Sequence, residues 1–161
     1  EQVFFTQLGL CEPELTDYLS RLLAGFLHMD AICRVQDPEA AATVDEIVQR
    51  CVADELAGRD DVSDHAVSRL LNRYVGDFSL FWTGMYPETL RARRQGGVSR
   101  LHEFTLRGKQ GYEIASTLTR AGDQPTADLL HGLSEQFEYC ADGLRLVRAS
   151  WERGNRDANH N

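Results

Sequence analysis

Apolar residues recur at helical spacing along almost the whole chain, and this period constrains the fold more than any single motif. Residues three and four positions apart share one face of a helix. In the first such segment, residues 13–30, the apolar stripe consists of Leu15, Tyr18, Leu19, Leu22, Leu23 and Phe26. We find no convincing alternation of apolar and polar residues of the kind that is typical of strands. The sequence therefore predicts an all-α protein.

Capping and helix-breaking residues divide the chain into a bundle of about five or six predicted helices. Pro13 suits a first helical turn, Thr43 and Glu46 have capping-box spacing, and Pro87 breaks a long helix. Gly122 is the predicted stop of the helix before it. The predicted helices cover residues 13–30, 43–57, 64–86, 87–94, 98–121 and 126–153.

The length of the chain fits one domain. A chain of 161 residues can bury about 70% of its unfolded surface, so it needs no disulfide or metal to fold. We assign residues 1–153 to a single helical domain. Residues 154–161, the sequence GNRDANHN, form a polar C-terminal tail that we expect to fray.

Charge and cysteine spacing argue against several classes of function. The net charge of −8 disfavours nucleic acid and anionic lipid as partners, because both repel an acidic surface. None of the four cysteines has the short spacing of a zinc or thioredoxin-type pair, so we expect reduced thiols and a cytoplasmic protein. The sequence contains no run of 18 apolar residues and no signal-peptide pattern, so we expect no membrane partner.

The histidines do not predict a metal site. Asp128, His131 and Glu135 have ligand-like spacing on one helix, but His131 falls opposite the apolar stripe of that helix. This stripe consists of Leu130, Leu133, Phe137, Leu144 and Trp151. His28, His65 and His102 also fall on outer faces, and the Glu-x-x-His pairs of di-iron bundles are absent. We therefore expect no metal and no cofactor.

Catalytic nucleophiles are equally hard to find. The sequence has no Gly-x-Ser-x-Gly motif, and it matches neither glycine-rich phosphate-binding pattern. Cys51 and Cys140 fall on apolar stripes, where thiols are usually inert. We predict no catalytic residue, and the sequence favours a protein that is not an enzyme.

The segment RYVGDFSLFWTGMYPE, residues 73–88, combines large apolar side chains with two glycines and Asp77. Each glycine weakens a helix by about 1 kcal/mol relative to alanine, a cost that close approach of another helix would offset. Gly108 and Gly111 lie on one stripe of a later helix and offer such a surface. Our main interpretation is two helices packed through their glycines.

A pocket is the alternative interpretation of the same segment. In this hypothesis the glycines and Asp77 line a site for a small apolar ligand. The candidate ligand-binding residues are Asp77, Trp82 and Tyr112.

Two motifs carry a resemblance to a known family. The sequence VGDFSLFWTGMYPE, followed by GKQGYEIAS from Gly108, resembles a family of uncharacterised all-helical bacterial proteins. In that family a Gly-Asp pair precedes Leu-Phe and a later glycine, and a following helix carries Gly and Tyr four residues apart. DYLSRLLAGFLHMD and TADLLHGLSEQFEYCADGL are also similar in pattern. The resemblance implies an all-helical fold and brings no established activity.

Charge is distributed unevenly between two segments. Residues 91–109 carry six basic residues against Glu103, and residues 37–64 carry nine acidic residues against two arginines. Two solvated faces are the plain interpretation, and a contact between the segments, within the chain or across a homodimer, is the sharper one. A third interpretation is an anion-binding site. Its candidate residues are Arg91, Arg93, Arg94 and Arg100.

The function that the sequence favours is a non-enzymatic helical protein that acts through self-assembly or through an unknown protein partner. The predicted assembly is a homodimer, with Phe4, Phe5 and Trp151 as candidates for its apolar surface. Two alternatives remain open. One is binding of a small apolar ligand near Asp77, and the other is binding of an anion or nucleotide by the arginine cluster.

Overall fold

The computed structural model describes residues 12–33, 43–58, 61–92, 94–95 and 98–160. Its helices are α1 Pro13–Cys33, α2 Val44–Ala57, α3 Asp64–Met85, α4 Pro87–Ala92, α5 Arg100–Leu118, α6 Ala127–Glu135 and α7 Phe137–Ala158. Two short strands, β1 Arg94–Gln95 and β2 Val98–Ser99, pair antiparallel between α4 and α5. The predicted all-α, single-domain fold is confirmed.

The helix starts follow the signals in the sequence. Pro13 and Pro87 are the first residues of α1 and α4. Thr43 and Glu46 form the predicted capping box, since each backbone amide donates to the other residue's side chain, at 3.0 and 3.2 Å. These contacts satisfy amides that have no partner inside the helix.

Several helix boundaries differ from the prediction. Strand β2 occupies residues 98–99, so α5 begins at Arg100, and it ends at Leu118 with Thr119 as its C-cap. Gly122, with φ of +89°, lies in the following turn instead of stopping the helix. The last predicted helix is two helices, because the chain turns at Gln136.

The C-terminal residues are helical where we expected a frayed tail. Helix α7 continues to Ala158, although residues 151–160 are all exposed. Arg148 supports this extension by donating to Glu152 at 2.9 Å, one turn later. Trp151 does not belong to the buried stripe as predicted, and 45% of its surface is exposed. No helix in the described part of the chain is both long and apolar enough to cross a membrane.

Helix α3 forms the centre of the fold. Its residues 75–82 are consecutively buried, which requires neighbours on every side of the helix. On one side it packs against α5 and α7, and on the other it faces α1 and α2. The two sides differ in how closely the neighbours approach, and this difference creates the candidate site.

Glycines bring α3 and α5 into direct contact, as the sequence predicted. A Cβ atom added to Gly111 would lie 2.6 Å from the Asn72 carbonyl oxygen, and one added to Gly76 would lie 2.6 Å from the Tyr112 ring. A Cβ atom on Gly108 would meet Phe137 at 2.6 Å. Such distances leave no room for a side chain, so this side of α3 is tightly packed.

Candidate ligand-binding cavity

A cavity of about 780 Å³ lies on the opposite side of α3, where α1 and α2 face it and the loop before α6 borders it. Its wall is mainly aromatic. The rings that line it, besides Tyr18, are Phe26, Tyr74, Phe78, Phe81, Trp82 and Tyr86. Leu22, Val48, Val52 and Leu129 complete the apolar surface.

The rings of this wall support one another. Phe26 of α1 stacks on Phe81 of α3, with ring centroids 4.8 Å apart and planes 14° from parallel. Trp82 and Tyr86 lie 5.1 Å apart at a tilted angle. Since aromatic pairs at these distances contribute beyond their buried area, the wall has a defined shape without a ligand.

A buried carboxylate forms the polar part of the cavity. Asp77 is 6% exposed, and its Oδ1 atom accepts hydrogen bonds from the Tyr18 hydroxyl at 2.6 Å and the Tyr112 hydroxyl at 2.7 Å. Tyr18 belongs to α1 and Tyr112 to α5. One oxygen of α3 therefore connects the helices on both of its sides.

Burial sets the protonation of this group of side chains. Burial raises the pKa of the Asp77 carboxyl, and Arg73 and the two tyrosine hydroxyls counteract part of the rise. The pKa values of Tyr18 and Tyr112 lie well above that of free tyrosine, because of burial and then of the Asp77 charge. Both tyrosines consequently remain hydrogen-bond donors at neutral pH.

Arg73 is the cation of the cavity wall. Its Nε atom lies 3.7 Å from Asp77 Oδ2, one helical turn away, which is too long for a hydrogen bond. Its guanidinium lies over the Tyr74 ring, 5.9 Å from the centroid. Two carboxylates, Glu14 and Asp17, and Arg21 stand on α1 at the rim, where Arg21 pairs with Asp17 at 2.8 Å.

The three residues proposed for a ligand pocket have different positions. Asp77 and Trp82 line the cavity, whereas Tyr112 lies behind the wall and reaches Asp77 with its hydroxyl. The sequence left close packing and a pocket as alternative interpretations. In the structure both occur, on opposite sides of α3. The glycines pack against α5 and α7, and Asp77 faces the cavity.

Sequence reasoning did not assign Tyr18 or Arg73 to the pocket. Tyr18 stands among leucines on the apolar stripe of α1, and its hydroxyl was the available signal, because a buried tyrosine hydroxyl needs a partner. Arg73 precedes Asp77 by four residues, a spacing that brings two side chains together on one face of a helix. That pair exists, at 3.7 Å, inside the cavity wall.

The proposed arginine cluster is not a common solvent-facing surface. Arg100 is only 1% exposed, pairs with Glu103 at 2.8 Å and lies 5.2 Å from the Phe104 ring centroid. Arg91 is exposed, and the side chains of Arg93 and Arg94 lie outside the described residues. A buried, paired guanidinium does not offer its charge to a dissolved anion, so Arg100 does not fit the predicted site.

The histidine on α6 makes ion pairs with carboxylates. His131 Nδ1 lies 2.9 Å from Glu113 and its Nε2 lies 3.4 Å from Glu135. The hydrogen bond to Glu113, and then the charges of both carboxylates, raise the pKa of this exposed imidazole. His65 Nε2 lies 2.9 Å from the Leu118 carbonyl oxygen. The described ranges contain no cluster of three or more side chains with the composition of a metal site.

Cys140 has the inert environment that the sequence predicted. Its thiol is buried in α7, and burial raises its pKa to about 12. The thiolate that nucleophilic chemistry needs is therefore not populated at neutral pH. The side chains of Cys11, Cys33 and Cys51 lie outside the described residues.

The acidic and basic segments touch within one chain. Arg107 of α5 donates to both carboxylate oxygens of Asp45 in α2, at 2.7 and 2.5 Å. This bidentate pair lowers the pKa of Asp45, first through the hydrogen bond from Arg107. The contact between segments 37–64 and 91–109 thus exists without a second subunit.

The fold and the cavity define an all-α, single-domain protein with an aromatic pocket around one buried carboxylate. No family model, no curated protein and no solved structure matches the chain. We therefore infer function from the geometry of the cavity.

Proposed function

We propose that the protein binds a small, mainly apolar ligand in the cavity between α1, α2 and α3. The observation that carries this proposal is the aromatic wall that ends at Asp77 and Arg73. Ligand pockets typically have volumes of about 300–1,000 Å³, apolar walls and a few polar groups that orient the ligand. The cavity, at about 780 Å³, has all three properties.

The size of the apolar contribution limits the affinity. A ligand with two fused rings would bury about 200 Å² of apolar surface, which is worth about 5 kcal/mol at about 25 cal/mol per Å². That free energy corresponds to a Kd between about 1 mM and 1 μM before the entropic cost of association. Tighter binding requires the polar groups, so the ligand carries a polar end that meets Asp77 or Arg73.

Gly25 offers a direct test of the cavity. It lines the cavity from α1, and an added Cβ atom would meet nothing within 4 Å. Gly25→Leu should therefore add apolar atoms at the cavity with no clash at Cβ, and it should strengthen the helix by up to about 1 kcal/mol. Gly154→Leu is the matched control, because Gly154 is also helical and free of neighbours but lies on the exposed end of α7.

The measurement is a titration with N-phenyl-1-naphthylamine, an uncharged apolar probe whose fluorescence rises on leaving water. Saturable binding is expected for the wild-type protein and Gly154→Leu, with affinity at least about tenfold weaker for Gly25→Leu. Equal binding by all three proteins would place the probe elsewhere. A wild-type protein that does not bind the probe contradicts the proposed function.

Self-assembly is a second candidate. The half-exposed Trp151 and Tyr139 on α7 support it, because exposed aromatic side chains are common in protein interfaces. Light scattering at about 0.1 and 1 M salt, where the Debye length falls from about 10 to 3 Å, tests the homodimer. A monomer at every protein concentration and at both salts would rule it out.

A further inference from the structure

Arg73 stands out among the charged groups of the cavity because one of its hydrogen-bond donors is buried without a partner in the described part of the chain. A guanidinium has five N–H donors, yet the Nε atom of Arg73 is buried and has no hydrogen-bond partner among the described residues. The Tyr18 hydroxyl donates its own proton to Asp77, and it interacts with the guanidinium both through charge and as a hydrogen-bond acceptor. Arg73 lines the cavity, and its side chain as a whole is 27% exposed, so a molecule in the cavity can contact the guanidinium.

Asp77, by contrast, already accepts two hydrogen bonds. Its Oδ1 atom accepts from Tyr18 and Tyr112, and these bonds stabilise the carboxylate in addition to the charge of Arg73. The distance of 3.7 Å between Asp77 and Arg73 is longer than the roughly 2.7–2.9 Å of a charge-assisted hydrogen bond. The tyrosines thus supply the hydrogen bonds to Oδ1, and Arg73 acts on Asp77 through its charge, not through a short hydrogen bond.

We propose that the cavity selects apolar ligands that end in a carboxylate, and that Arg73 binds this carboxylate. This inference rests on the proposed ligand-binding function and names its ligand class. Carboxylates fit a guanidinium because two parallel hydrogen bonds form in one plane. The aromatic wall then holds the apolar body of the ligand.

The other charged groups around the cavity include carboxylates, which oppose the binding of an anionic ligand. Asp77 repels a carboxylate, but its charge is shared by two hydroxyl donors and by Arg73 itself. At the rim, Asp17 is paired with Arg21, and Glu14 adds one negative charge. These carboxylates would favour an organic amine instead, so the amine is the competing outcome of the test.

Three ligands with the same ring separate these outcomes: indole-3-propionate, tryptamine and 3-methylindole, which carry an anionic, a cationic and no charged end at neutral pH. Isothermal titration calorimetry at one ionic strength gives each Kd. Indole-3-propionate is expected to bind on the order of tenfold more tightly than 3-methylindole, and tryptamine more weakly than indole-3-propionate. Equal affinities, or tightest binding of tryptamine, would overturn the inference and leave the proposed function intact.

Substitutions test whether Arg73 causes the preference for a ligand with a carboxylate. Arg73→Met keeps most of the apolar stem and should remove the preference for indole-3-propionate while leaving the Kd of 3-methylindole within about twofold. Arg145→Met, on α7 and outside the cavity lining, is the control and should keep the preference. A preference that survives in a folded Arg73→Met protein would contradict the role of Arg73.

A second substitution covers the case in which Arg73→Met does not fold. Arg73→Lys keeps the charge but loses the planar pair of donors, so the preference should fall several-fold with little change in melting temperature. An unchanged preference in Arg73→Lys would contradict binding by the guanidinium plane. If none of the three ligands binds the wild-type protein, both the cavity function and this inference fail.

Discussion

The two sides of α3 show opposite ways of packing one helix. Towards α5, glycines on both helices let the backbones approach until an added Cβ would lie 2.6 Å from a carbonyl oxygen. Towards α1 and α2, large rings meet edge and face and leave about 780 Å³ between the helices. Small residues allow close contact, and bulky residues that meet only partly hold the helices apart.

Asp77 belongs to both sides. Tyr112 reaches its Oδ1 atom from the tightly packed side, and Tyr18 reaches the same atom from the cavity side. The same chemical contact therefore occurs in two environments, one dry and one next to an open space. How much each contact contributes to stability then depends on whether water can replace it.

Gly111→Leu should produce the largest effect, because it places a side chain where α3 and α5 touch. The nearest atom is the Asn72 carbonyl oxygen, at 2.6 Å from the added Cβ, and backbone cannot move aside cheaply. We expect a loss of about 3 kcal/mol in the free energy of unfolding, at the upper end for overpacking. Urea denaturation measures the loss.

Gly132→Leu is the control for this prediction. Gly132 is also helical, and an added Cβ would meet nothing within 4 Å. Gly132→Leu should leave the free energy of unfolding unchanged or raise it slightly. If Gly111→Leu unfolded at the same urea concentration as Gly132→Leu, the tight packing of α3 on α5 would be wrong.

Tyr112→Phe and Tyr18→Phe compare the same deletion on the two sides. On the dry side, loss of the Tyr112 hydroxyl removes a donor to Asp77 that water cannot replace, so we expect about 2 kcal/mol of destabilisation. On the cavity side water can take the place of the Tyr18 hydroxyl, and the cost should be about 1 kcal/mol or less. Chemical denaturation of both variants gives the difference, and equal losses would show that the two sides are equally dry.

The pH dependence of Asp77 should have the opposite sign from that of Asp45. Burial raises the folded-state pKa of Asp77, so the folded state disfavours its charged form. Stability from Asp77 is therefore fully present below the unfolded pKa of about 3.9 and is lost as pH rises through the higher folded pKa. The loss is about 1.4 kcal/mol for each pH unit that separates the folded and unfolded pKa values.

The pKa of Asp45, in contrast, is lowered by its hydrogen bond from Arg107. Its stabilisation is present above about pH 3.9 and is lost as pH falls through the folded pKa, and it amounts to less than about 1 kcal/mol because the pair is partly exposed.

The test compares the free energy of unfolding of Asp77→Asn and Asp45→Asn with that of the wild-type protein between about pH 3 and 8. Relative to the wild type, Asp77→Asn should gain stability as pH rises and Asp45→Asn should lose it. Parallel curves would refute the raised pKa of Asp77.

Local sequence determined the helices and the tight interface. Pro13, Pro87 and the Thr43–Glu46 capping box act on neighbours within one turn, and each starts a helix where predicted. Gly108 and Gly111 lie on one stripe because of the helical period alone, so their packing role was visible before the structure. The helical period also places Asp77 one turn from Arg73, at the edge of the apolar face of α3.

Only the tertiary structure determined which side chains contact Asp77 at that edge. Tyr18 precedes Asp77 by 59 residues and Tyr112 follows it by 35, and no local period relates positions so far apart. Arg100 carries a charge that predicts exposure, yet packing buries it. Trp151 lies at helical spacing from the buried residues of α7, yet it is exposed because no other helix of the described residues covers the end of α7, where residues 151–160 are all exposed. A helical period fixes which residues share a face, but the arrangement of helices determines whether that face meets another helix, a cavity or water.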